Sequence, residues 1–282
     1  MIPNVLTLAG VDPSGGAGIF ADLKTFSALK AYGTGVVVAL TAQNTQGVTG
    51  VQLVPSSFVA QQIDTLCADV RIDAAKVGML ATAELVTTVA AGLKRHDLKR
   101  LVVDPVMVSK SGHHLLQPDA VAALRSELLP LAEIITPNLP EAGVLLGQPE
   151  PRTIDEMRRA ARALLKFGPR YVLLKGGHLG DADSTDILDD GVTQTEFRAS
   201  RIATKNTHGT GCTLSAAITA LLPQRSSIAD AIRDAKTWLT AAIAAADQLA
   251  IGHGHGPVHH FHALWQSPPD PGLICGHNPG PL

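Results

Sequence analysis

Short, uniformly apolar runs alternate with longer amphipathic runs along most of this 282-residue chain, and no other feature constrains the fold as much. Runs that are apolar throughout indicate strands with both faces buried, as in a parallel sheet. Because amphipathic helices separate these strands, we expect a mostly parallel sheet covered by helices on both faces. The predicted strands are Val5–Gly10, Gly35–Thr41, Ala75–Met79, Leu101–Val106, Ile134–Thr136 and Tyr171–Lys175.

The pattern changes after the last of these strands. An Asp-Asp-Gly sequence at 189–191, flanked by Thr185–Leu188 and Thr195–Ser200, predicts an antiparallel hairpin at the sheet edge. We expect one domain over residues 1–265 and a flexible tail over 266–282, where five prolines and three glycines occur. The predicted helices are Gly18–Ala31, Ser57–Val70, Ala83–Arg95, Asp119–Leu128, Pro140–Leu146, Thr153–Phe167, Gly211–Leu222 and Ile228–Ala250.

Composition excludes several classes of protein. Hydrophobic residues make up 45% and charged residues 17%, and the formal charge is −2 without long runs of either sign. This argues against a nucleic-acid binder and against a polybasic membrane contact. Three cysteines without a CxxC pair indicate a reduced protein. The N-terminus lacks a signal-peptide pattern, and we expect a soluble, cytoplasmic enzyme.

The most informative motif is Asn-Thr-His-Gly-Thr-Gly-Cys at 206–212, which leads into an apolar helix. Gly209, Thr210, Gly211 and Cys212 would direct several backbone N–H groups at one point, and the helix dipole adds positive charge there. Such an anion hole suits the charged phosphoryl group of a transfer transition state. We also expect the hole to favour the thiolate of Cys212. The motif therefore predicts phosphoryl transfer.

Polar side chains also follow the predicted fourth and fifth strands. Asp104 is well placed to hold Mg²⁺, directly or through water. Asn138 and Glu141 are three residues apart, so they can form a capping box or bind metal or phosphate, and both readings stay open. Because ligand sites of open α/β sheets lie beyond the carboxyl ends of the strands, we expect these three residues to gather there.

Two other strand ends carry candidate binding residues. The glycine-rich stretch Gly10–Gly18 either approaches a ligand closely or forms a tight turn capped by Asp12 or Ser14. It matches neither a Walker A sequence nor a dinucleotide fingerprint, which disfavours an NAD oxidoreductase. Gln43 can donate and accept hydrogen bonds together, which suits the edge of a nitrogen heterocycle, although it can also cap a loop.

Lysines and histidines complete the candidate set. Lys175 lies beside two glycines, which predicts either a contact with a nucleotide phosphate or an exposed turn lysine, and Lys205 precedes the anion-hole motif. Five histidines between 253 and 262 match no standard zinc spacing. For that segment we expect a structured C-terminal turn rather than a metal site.

Taken in their order along the chain, these motifs resemble one family, the bacterial hydroxymethylpyrimidine/phosphomethylpyrimidine kinases of thiamin biosynthesis, a branch of the ribokinase-like superfamily. The resemblance covers residues 4–265, including the Gly-Pro-Val-His-His-Phe-His ending at 256–262. It implies a three-layer α/β/α fold, the use of ATP and Mg²⁺, and a homodimer formed through sheet-edge contacts. The matching motifs are Ala9–Gly18, Asp104–Met107, Thr136–Glu141, Lys175–His178 and His208–Cys212.

The resemblance also implies a reaction and roles for single residues. ATP would phosphorylate 4-amino-5-hydroxymethyl-2-methylpyrimidine to its monophosphate and then to the diphosphate. Cys212 stands where sugar kinases carry an aspartate base, whereas Val11 departs from the small hydroxyl residue often found at its position. By the resemblance, Gln43 binds the aminopyrimidine edge beside Gly10, Asp12, Met79 and Val106; Asn138, Lys175, Lys205 and Thr207 bind the nucleotide; Asp104 and Glu141 hold the metal.

In this family the substrate hydroxymethyl group would attack the γ-phosphorus in line, while the amides of residues 209–212 stabilise the transferred group. Cys212 would orient or deprotonate the hydroxyl. The second phosphorylation uses an ionised phosphate oxygen and needs no base. Pyridoxal kinase is the nearest alternative, and pyridoxal or pyridoxine is the expected side substrate. A non-catalytic nucleotide-binding module is disfavoured because Asp104 and the Gly-Thr-Gly-Cys loop are both present.

Overall fold

The computed structural model describes residues 1–107, 116–117, 119–177, 179–180 and 183–265, and within them nine strands form one sheet. The predicted tail at 266–282 and His178 lie outside the described residues. The strands are β1 (Asn4–Val11), β2 (Tyr32–Asn44), β3 (Gly47–Leu53), β4 (Ala74–Val77), β5 (Leu101–Val103), β6 (Ile134–Ile135), β7 (Tyr171–Leu174), β8 (Asp183–Asp189) and β9 (Gln194–Ser200).

The sheet order is β3-β2-β1-β4-β5-β6-β7-β8-β9. The six strands from β2 to β7 in this order are parallel, while β3 is antiparallel to β2, and β8 and β9 form an antiparallel hairpin. The predicted α/β fold and its edge hairpin are therefore confirmed. The carboxyl ends of the parallel strands meet at one edge, where the candidate site residues follow.

Helices cover both faces of the sheet. None of those described is both long and apolar enough to cross a membrane. The helices are α1 (Gly18–Ala28), α2 (Ser56–Cys67), α3 (Ala83–Arg95), α4 (Ala120–Ala123), α5 (Leu139–Leu146), α6 (Ile154–Leu164), α7 (Thr210–Leu221) and α8 (Ile228–Ala244).

Successive residues of the buried strands face opposite cores, which explains why these strands are apolar throughout. Val102 packs in the core under α7 and α8, while Val103 packs in the core under α2 to α6. Ile134 and Ile135 divide in the same way. The helices α1 and α7 enclose a third, smaller cluster around Phe26. The result is three layers with two apolar interfaces.

The structure corrects three details of the predicted elements. The strand β3 was not predicted, because Gly47–Leu53 is mostly exposed and is held by pairing with β2 rather than by burial. The predicted helix Ile228–Ala250 ends at Ala244 and is followed by a 3₁₀ turn at Ala246–Gln248. The predicted helix Asp119–Leu128 is α-helical only over Ala120–Ala123 and continues as a π-helical turn.

Candidate active site

The anion-hole motif forms the amino end of α7. Gly209 precedes the helix in the left-handed region, with φ 74°, and no side chain caps this terminus in the described chain. A Cβ at Gly209 would lie 1.7 Å from the backbone oxygen of Gly16, so only glycine fits. The loop at 206–212 therefore packs directly against the glycine-rich stretch. The N–H of Thr210 donates to the Thr207 oxygen at 3.4 Å, and the N–H of Thr213 makes the first helical bond, to Gly209. The N–H groups of Gly211 and Cys212 lie between them in the first turn, where a helix leaves its donors without helical partners, as an anion-binding site requires.

An ion pair lies beside this helix terminus. Lys175 Nζ lies 2.8 Å from Asp104 Oδ1, and the carboxylate also accepts hydrogen bonds from Thr136 and, at 3.3 Å, from Ser215. A Cβ at Gly211 would lie 3.3 Å from Lys175 Nζ, so the ammonium group borders the first turn of α7. Burial would raise the pKa of Asp104, but Lys175 and Lys76 lower it below its usual value. The carboxylate is therefore ionised, and both charges are fixed.

Asn138 and Glu141 form the capping box of α5. Asn138 Oδ1 accepts the Glu141 N–H at 2.9 Å, and Glu141 Oε2 accepts the Asn138 N–H at 2.7 Å. The capping box that the sequence allowed is therefore present in the structure. Burial raises the pKa of Glu141 to about 7, and the nearby charge of Asp104 adds to this rise while Lys175 opposes it.

A metal role is compatible with this capping. Among the described residues, no three His, Cys, Asp or Glu side chains converge on one point as a metal site. Mg²⁺ commonly takes one or two carboxylates and completes its shell with water and substrate phosphates. Asp104 and Glu141 are two carboxylates with one shared positive neighbour, Lys175, so a further positive charge beside them would be favourable. Their chemistry fits Mg²⁺ as two protein ligands.

The expected lowering of the Cys212 pKa is wrong for this structure. Burial raises the pKa of the thiol, and the negative charges of Asp104 and Asp22 raise it further. Lys76 and the backbone N–H of Gly18 act in the opposite direction without prevailing. Cys212 is therefore a neutral thiol in this structure, although it lies on the first turn of a helix.

A second ion pair, which the sequence analysis missed, acts on the same cysteine. Lys76 Nζ lies 2.6 Å from Asp22 Oδ1, both side chains are 0% exposed, and Thr7 donates to the other carboxylate oxygen. Burial opposes the charge of Lys76, but Asp22 raises the pKa of the ammonium group, followed by Cys212 and Asp104. A lysine inside the apolar run 74–77 was the sequence signal for this buried partner.

His208 is the other missed residue. Its Nε2 lies 2.7 Å from Asp12 Oδ2 and 3.4 Å from the side-chain nitrogen of Gln43. Asp12 also accepts hydrogen bonds from the backbone N–H and the hydroxyl of Ser14 and from the N–H of Ala17. Burial would raise the pKa of Asp12, but the bonds from His208 and Ser14 lower it. Asp12 is therefore both a turn cap and a link between the two loops.

The predicted pocket wall is assembled in part. A Cβ on Gly10 would lie 2.7 Å from Met79 Cε, so these two residues meet closely and a larger residue at position 10 would displace the end of the Met79 side chain. Val106 is partly buried and packs against the core that contains Met79. Gln43 lies in β2, at a register shift after Ala42, rather than beyond the strand as predicted. The strand is longer because it pairs with β3.

Lys205 and Thr207 occupy the outer part of the anion-hole loop. Lys205 is exposed, unlike Lys175, and its backbone oxygen lies 3.1 Å from Nδ1 of His255. The backbone oxygen of Thr207 accepts a hydrogen bond of 2.7 Å from the Thr210 hydroxyl. Thr207 therefore shapes the turn into α7. The structure brings Lys175, and not the Lys205 side chain, into the buried cluster.

The C-terminal histidines form a structured segment, as expected. His260 Nε2 lies 3.2 Å from the hydroxyl of Thr213 on α7, and burial lowers the His260 pKa to about 3. The backbone N–H of His259 donates to Ala242 in α8. His208 donates its N–H to the oxygen of Gly256. The segment therefore joins α7, α8 and the anion-hole loop.

Comparisons with known proteins agree on one family. A family model described as phosphomethylpyrimidine kinase matches residues 12–259. The hydroxymethylpyrimidine/phosphomethylpyrimidine kinase of Escherichia coli K12 is 56% identical over 262 residues, which cover 93% of this chain and 98% of that protein.

Solved structures of a phosphomethylpyrimidine kinase and of a pyridoxal kinase both superpose on the chain. Phosphomethylpyrimidine kinase from Clostridium difficile superposes with a TM-score of 0.76 at 42% identity, over 86% of this chain and 99% of that one. Pyridoxal kinase from Staphylococcus aureus, in complex with AMP-PCP and pyridoxal, superposes with a TM-score of 0.86 at 33% identity, over 94% and 95% of the two chains.

Proposed function

The chain belongs to the phosphomethylpyrimidine kinase family, and we propose that it phosphorylates 4-amino-5-hydroxymethyl-2-methylpyrimidine with ATP and then converts the monophosphate to the diphosphate. This is a phosphotransferase activity of thiamin biosynthesis. The observation that carries the proposal is the contact between the anion-hole loop and the glycine-rich loop. The uncapped terminus of α7 adjoins the Lys175–Asp104 pair on one side and the Asp12–His208–Gln43 group on the other.

The amides of residues 209–212 bind the phosphoryl group during transfer, because preorganised N–H donors stabilise charge that develops there. Lys175 adds a fixed positive charge beside them, and its neighbours Asp104 and Glu141 raise its pKa against the effect of burial. We also assign Asn138, Lys205 and Thr207 to nucleotide binding. Thr207 contributes through its backbone turn, and Lys205 through an exposed ammonium group.

Gln43 recognises the aminopyrimidine edge. Because His208 Nε2 donates to the ionised Asp12, it cannot also accept from the side-chain nitrogen of Gln43. That amide nitrogen therefore keeps a hydrogen for a ring nitrogen of the substrate, while the amide oxygen accepts from an exocyclic amine. Gly10, Met79 and Val106 supply the apolar wall.

We assign Cys212 to orienting or activating the attacking hydroxyl, and its raised pKa bears on this role. A neutral thiol orients the hydroxyl, and it becomes a base only when bound ligands shift the balance of charge. The second phosphorylation starts from an ionised phosphate oxygen and does not need this step.

Mg²⁺ would be held by Asp104 and Glu141, and when bound it would neutralise charge on the nucleotide phosphates. These two carboxylates share Lys175 as their common positive neighbour. Glu141 Oε2 accepts the Asn138 N–H, and a backbone hydrogen bond from Met107 also reaches this carboxylate, so the cation would bind beside these two donors. Capping and metal binding then use the same side chain.

Parallel measurements of ATP consumption test the function. Purified protein is given the hydroxymethylpyrimidine, its monophosphate or pyridoxal, and ADP formation is followed for each. We expect turnover with both pyrimidines. Turnover with pyridoxal alone would overturn the assignment and favour a pyridoxal kinase.

Slow phosphorylation of pyridoxal is a second candidate activity. The likeness to the pyridoxal-bound kinase of Staphylococcus aureus favours it. Pyridoxal also offers a hydroxymethyl group on a nitrogen heterocycle, so it can present the same nucleophile to the anion hole. The same three-substrate assay measures this activity directly.

A homodimer through a sheet edge is the assembly we propose, in the cytoplasm, where its substrate ATP is available. Leu40, Val51 and Phe58, which lie on β2, β3 and α2, are each at least 40% exposed. Exposed apolar side chains beside an edge strand favour pairing with another copy. Light scattering of the purified protein tests this, and a monomer at micromolar concentration would contradict it.

A further inference from the structure

The Gly-His-Gly-His-Gly-Pro sequence at 252–257, which we name the C-terminal strap, has no role in the reaction described above. It crosses from the tip of the β2–β3 hairpin to the anion-hole loop. At the hairpin, the N–H of Gly254 donates to Thr45 Oγ1 at 3.1 Å and the N–H of His255 donates to the Thr45 oxygen at 2.9 Å.

At its other end the strap binds the anion-hole loop. The N–H of Gly256 donates to Asn206 Oδ1 at 3.1 Å, and the N–H of His208 donates to the Gly256 oxygen at 3.0 Å. Pro257 also lies within 3.3 Å of the Cβ position of Gly16 in the glycine-rich loop. One short segment therefore contacts all three loops that build the site.

The alternating glycines of the strap have a steric cause. A Cβ would lie 2.3 Å from Thr45 Oγ1 at Gly252, 2.1 Å from the Thr45 oxygen at Gly254, and 2.4 Å from Asn206 Oδ1 at Gly256. These distances are too short for any side chain. The strap backbone is thus packed against the backbone of Thr45 at Gly254 and against the side chains of Thr45 and Asn206 at Gly252 and Gly256.

The contacts close a ring around the pyrimidine side of the site. Thr45 lies two residues after Gln43, and Asn206 lies two residues before His208. The side-chain nitrogens of Gln43 and His208 lie 3.4 Å apart, in contact but, since both carry hydrogens, without a hydrogen bond between them. Beyond Leu40, which pairs with Val11 at the end of β1, the strand β2 has β3 as its only neighbour among the described strands.

From this ring we propose that the C-terminal strap is a positioning element that holds Gln43 at the phosphoryl-transfer loop, and that Gly254 and Thr45 are specificity-determining residues acting through Gln43. The proposal rests on the pyrimidine kinase activity proposed above. Because the tip of the β2–β3 hairpin extends beyond the end of β1, it moves at small cost to global stability. Its displacement therefore weakens pyrimidine binding more than it weakens the fold.

Kinetics of two strap variants test the proposal. Gly254→Ala introduces the clash with the Thr45 backbone, and Thr45→Val removes the Oγ1 acceptor while it keeps the side-chain shape. We expect the KM for the hydroxymethylpyrimidine to rise about tenfold and about threefold respectively, while the KM for ATP stays within about twofold. Gly50→Ala is the matched control, since a Cβ there meets only Ala42 Cβ at 3.6 Å, and it should behave as wild type.

Hydrogen exchange gives a readout that does not depend on activity. In the free protein, amides 43–48 should exchange faster in Gly254→Ala than in wild type, and should be unchanged in Gly50→Ala. A lowered melting temperature with unchanged pyrimidine KM and unchanged exchange would overturn the proposal and leave the strap a stabilising element only. An equal rise in the KM for ATP would also overturn it. Failure of wild type to use the pyrimidine refutes the proposed function, while exchange still decides whether the strap holds the hairpin.

Discussion

On the phosphoryl side of the site, the groups are fixed by two buried ion pairs, Lys175–Asp104 and Lys76–Asp22, and both act on the first turn of α7 or on its cysteine. On the pyrimidine side, Gln43 is held by a hairpin tip that neutral hydrogen bonds and glycine contacts tie to the C-terminal strap. The first arrangement fixes charged groups in a buried part of the site. The second leaves the ring-binding residue on an element that can move.

The two ion pairs also differ from each other. Lys76 lies inside β4, and both partners are 0% exposed, whereas Lys175 follows β7 with its side chain 13% exposed. A strand interior offers no access to ligand, while a strand end opens on the site. We therefore assign the first pair to the fold and to the electrostatics of Cys212, and the second to the phosphoryl group.

The largest expected effect comes from breaking the inner pair. Lys76→Met leaves the Asp22 carboxylate buried without its partner, which should cost about 3–5 kcal/mol of unfolding free energy. Urea denaturation measures this loss. Adding Asp22→Asn should restore much of it, because neither charge remains. Lys94→Met, on the exposed face of α3, is the control and should stay within about 0.5 kcal/mol of wild type.

Breaking the outer pair should act on catalysis as well as on stability, since the buried Asp104 also loses a partner. Lys175→Met removes a fixed positive charge beside the anion hole, and we expect kcat to fall about 10²–10³-fold for both substrates. The KM for the pyrimidine should change little, because Gln43 is untouched. Lys205→Met, on the exposed side of the loop, should raise mainly the KM for ATP. Similar kcat losses in the two variants would refute the distinction between the buried and the exposed lysine.

Cys212→Ala separates the two phosphorylations. Without the thiol, single-turnover phosphorylation of the hydroxymethyl group should slow about 10²-fold, as for loss of an orienting or basic group. The second phosphorylation should change by far less, since its nucleophile is ionised already. Rapid-quench measurements with each substrate give the two rates. Equal losses would remove the base role and leave positioning only.

The C-terminal segment that packs on α7 should respond to acid. His260 has a pKa of about 3 in the folded protein, against an ordinary value of about 6.5. As pH falls, this histidine therefore takes up a proton in the unfolded chain before it does so in the folded protein. Its stabilising contribution is complete above about pH 6.5 and is lost as pH falls towards 3. At pH 5 the expected loss is about 2 kcal/mol, from 1.36 kcal/mol per pH unit.

His260→Gln should flatten this part of the pH profile while keeping a polar partner for Thr213. Unfolding free energies of both proteins between pH 4 and 8 provide the measurement. A variant that keeps the slope of wild type would assign the acid sensitivity to another group.

Much of the fold was predictable because it follows from local pattern. Strands buried on both faces are apolar throughout, so β1 and β4 to β7 were found, and α3 was predicted with the bounds that it has. The strand β3 was missed because its residues are mostly exposed and depend on pairing with β2, a non-local contact.

The site was predictable as a set of strand-end residues but not as a set of interactions. The Asn138–Glu141 capping box depends on residues three apart, so the sequence allowed it to be named. The bonds from His208 to Asp12 and from Lys76 to Asp22 join residues 196 and 54 positions apart. No spacing rule predicts such pairs. The raised pKa of Cys212 likewise arises from burial and from carboxylates contributed by other elements.

The central claim is that the two sides of the site are held separately, and the steady-state kinetics of Lys175→Met and Gly254→Ala, measured side by side with the hydroxymethylpyrimidine, test it most directly. We predict that Lys175→Met loses kcat with little change in pyrimidine KM, and that Gly254→Ala raises the pyrimidine KM with little change in kcat. Parallel changes of both constants in both variants would contradict the account.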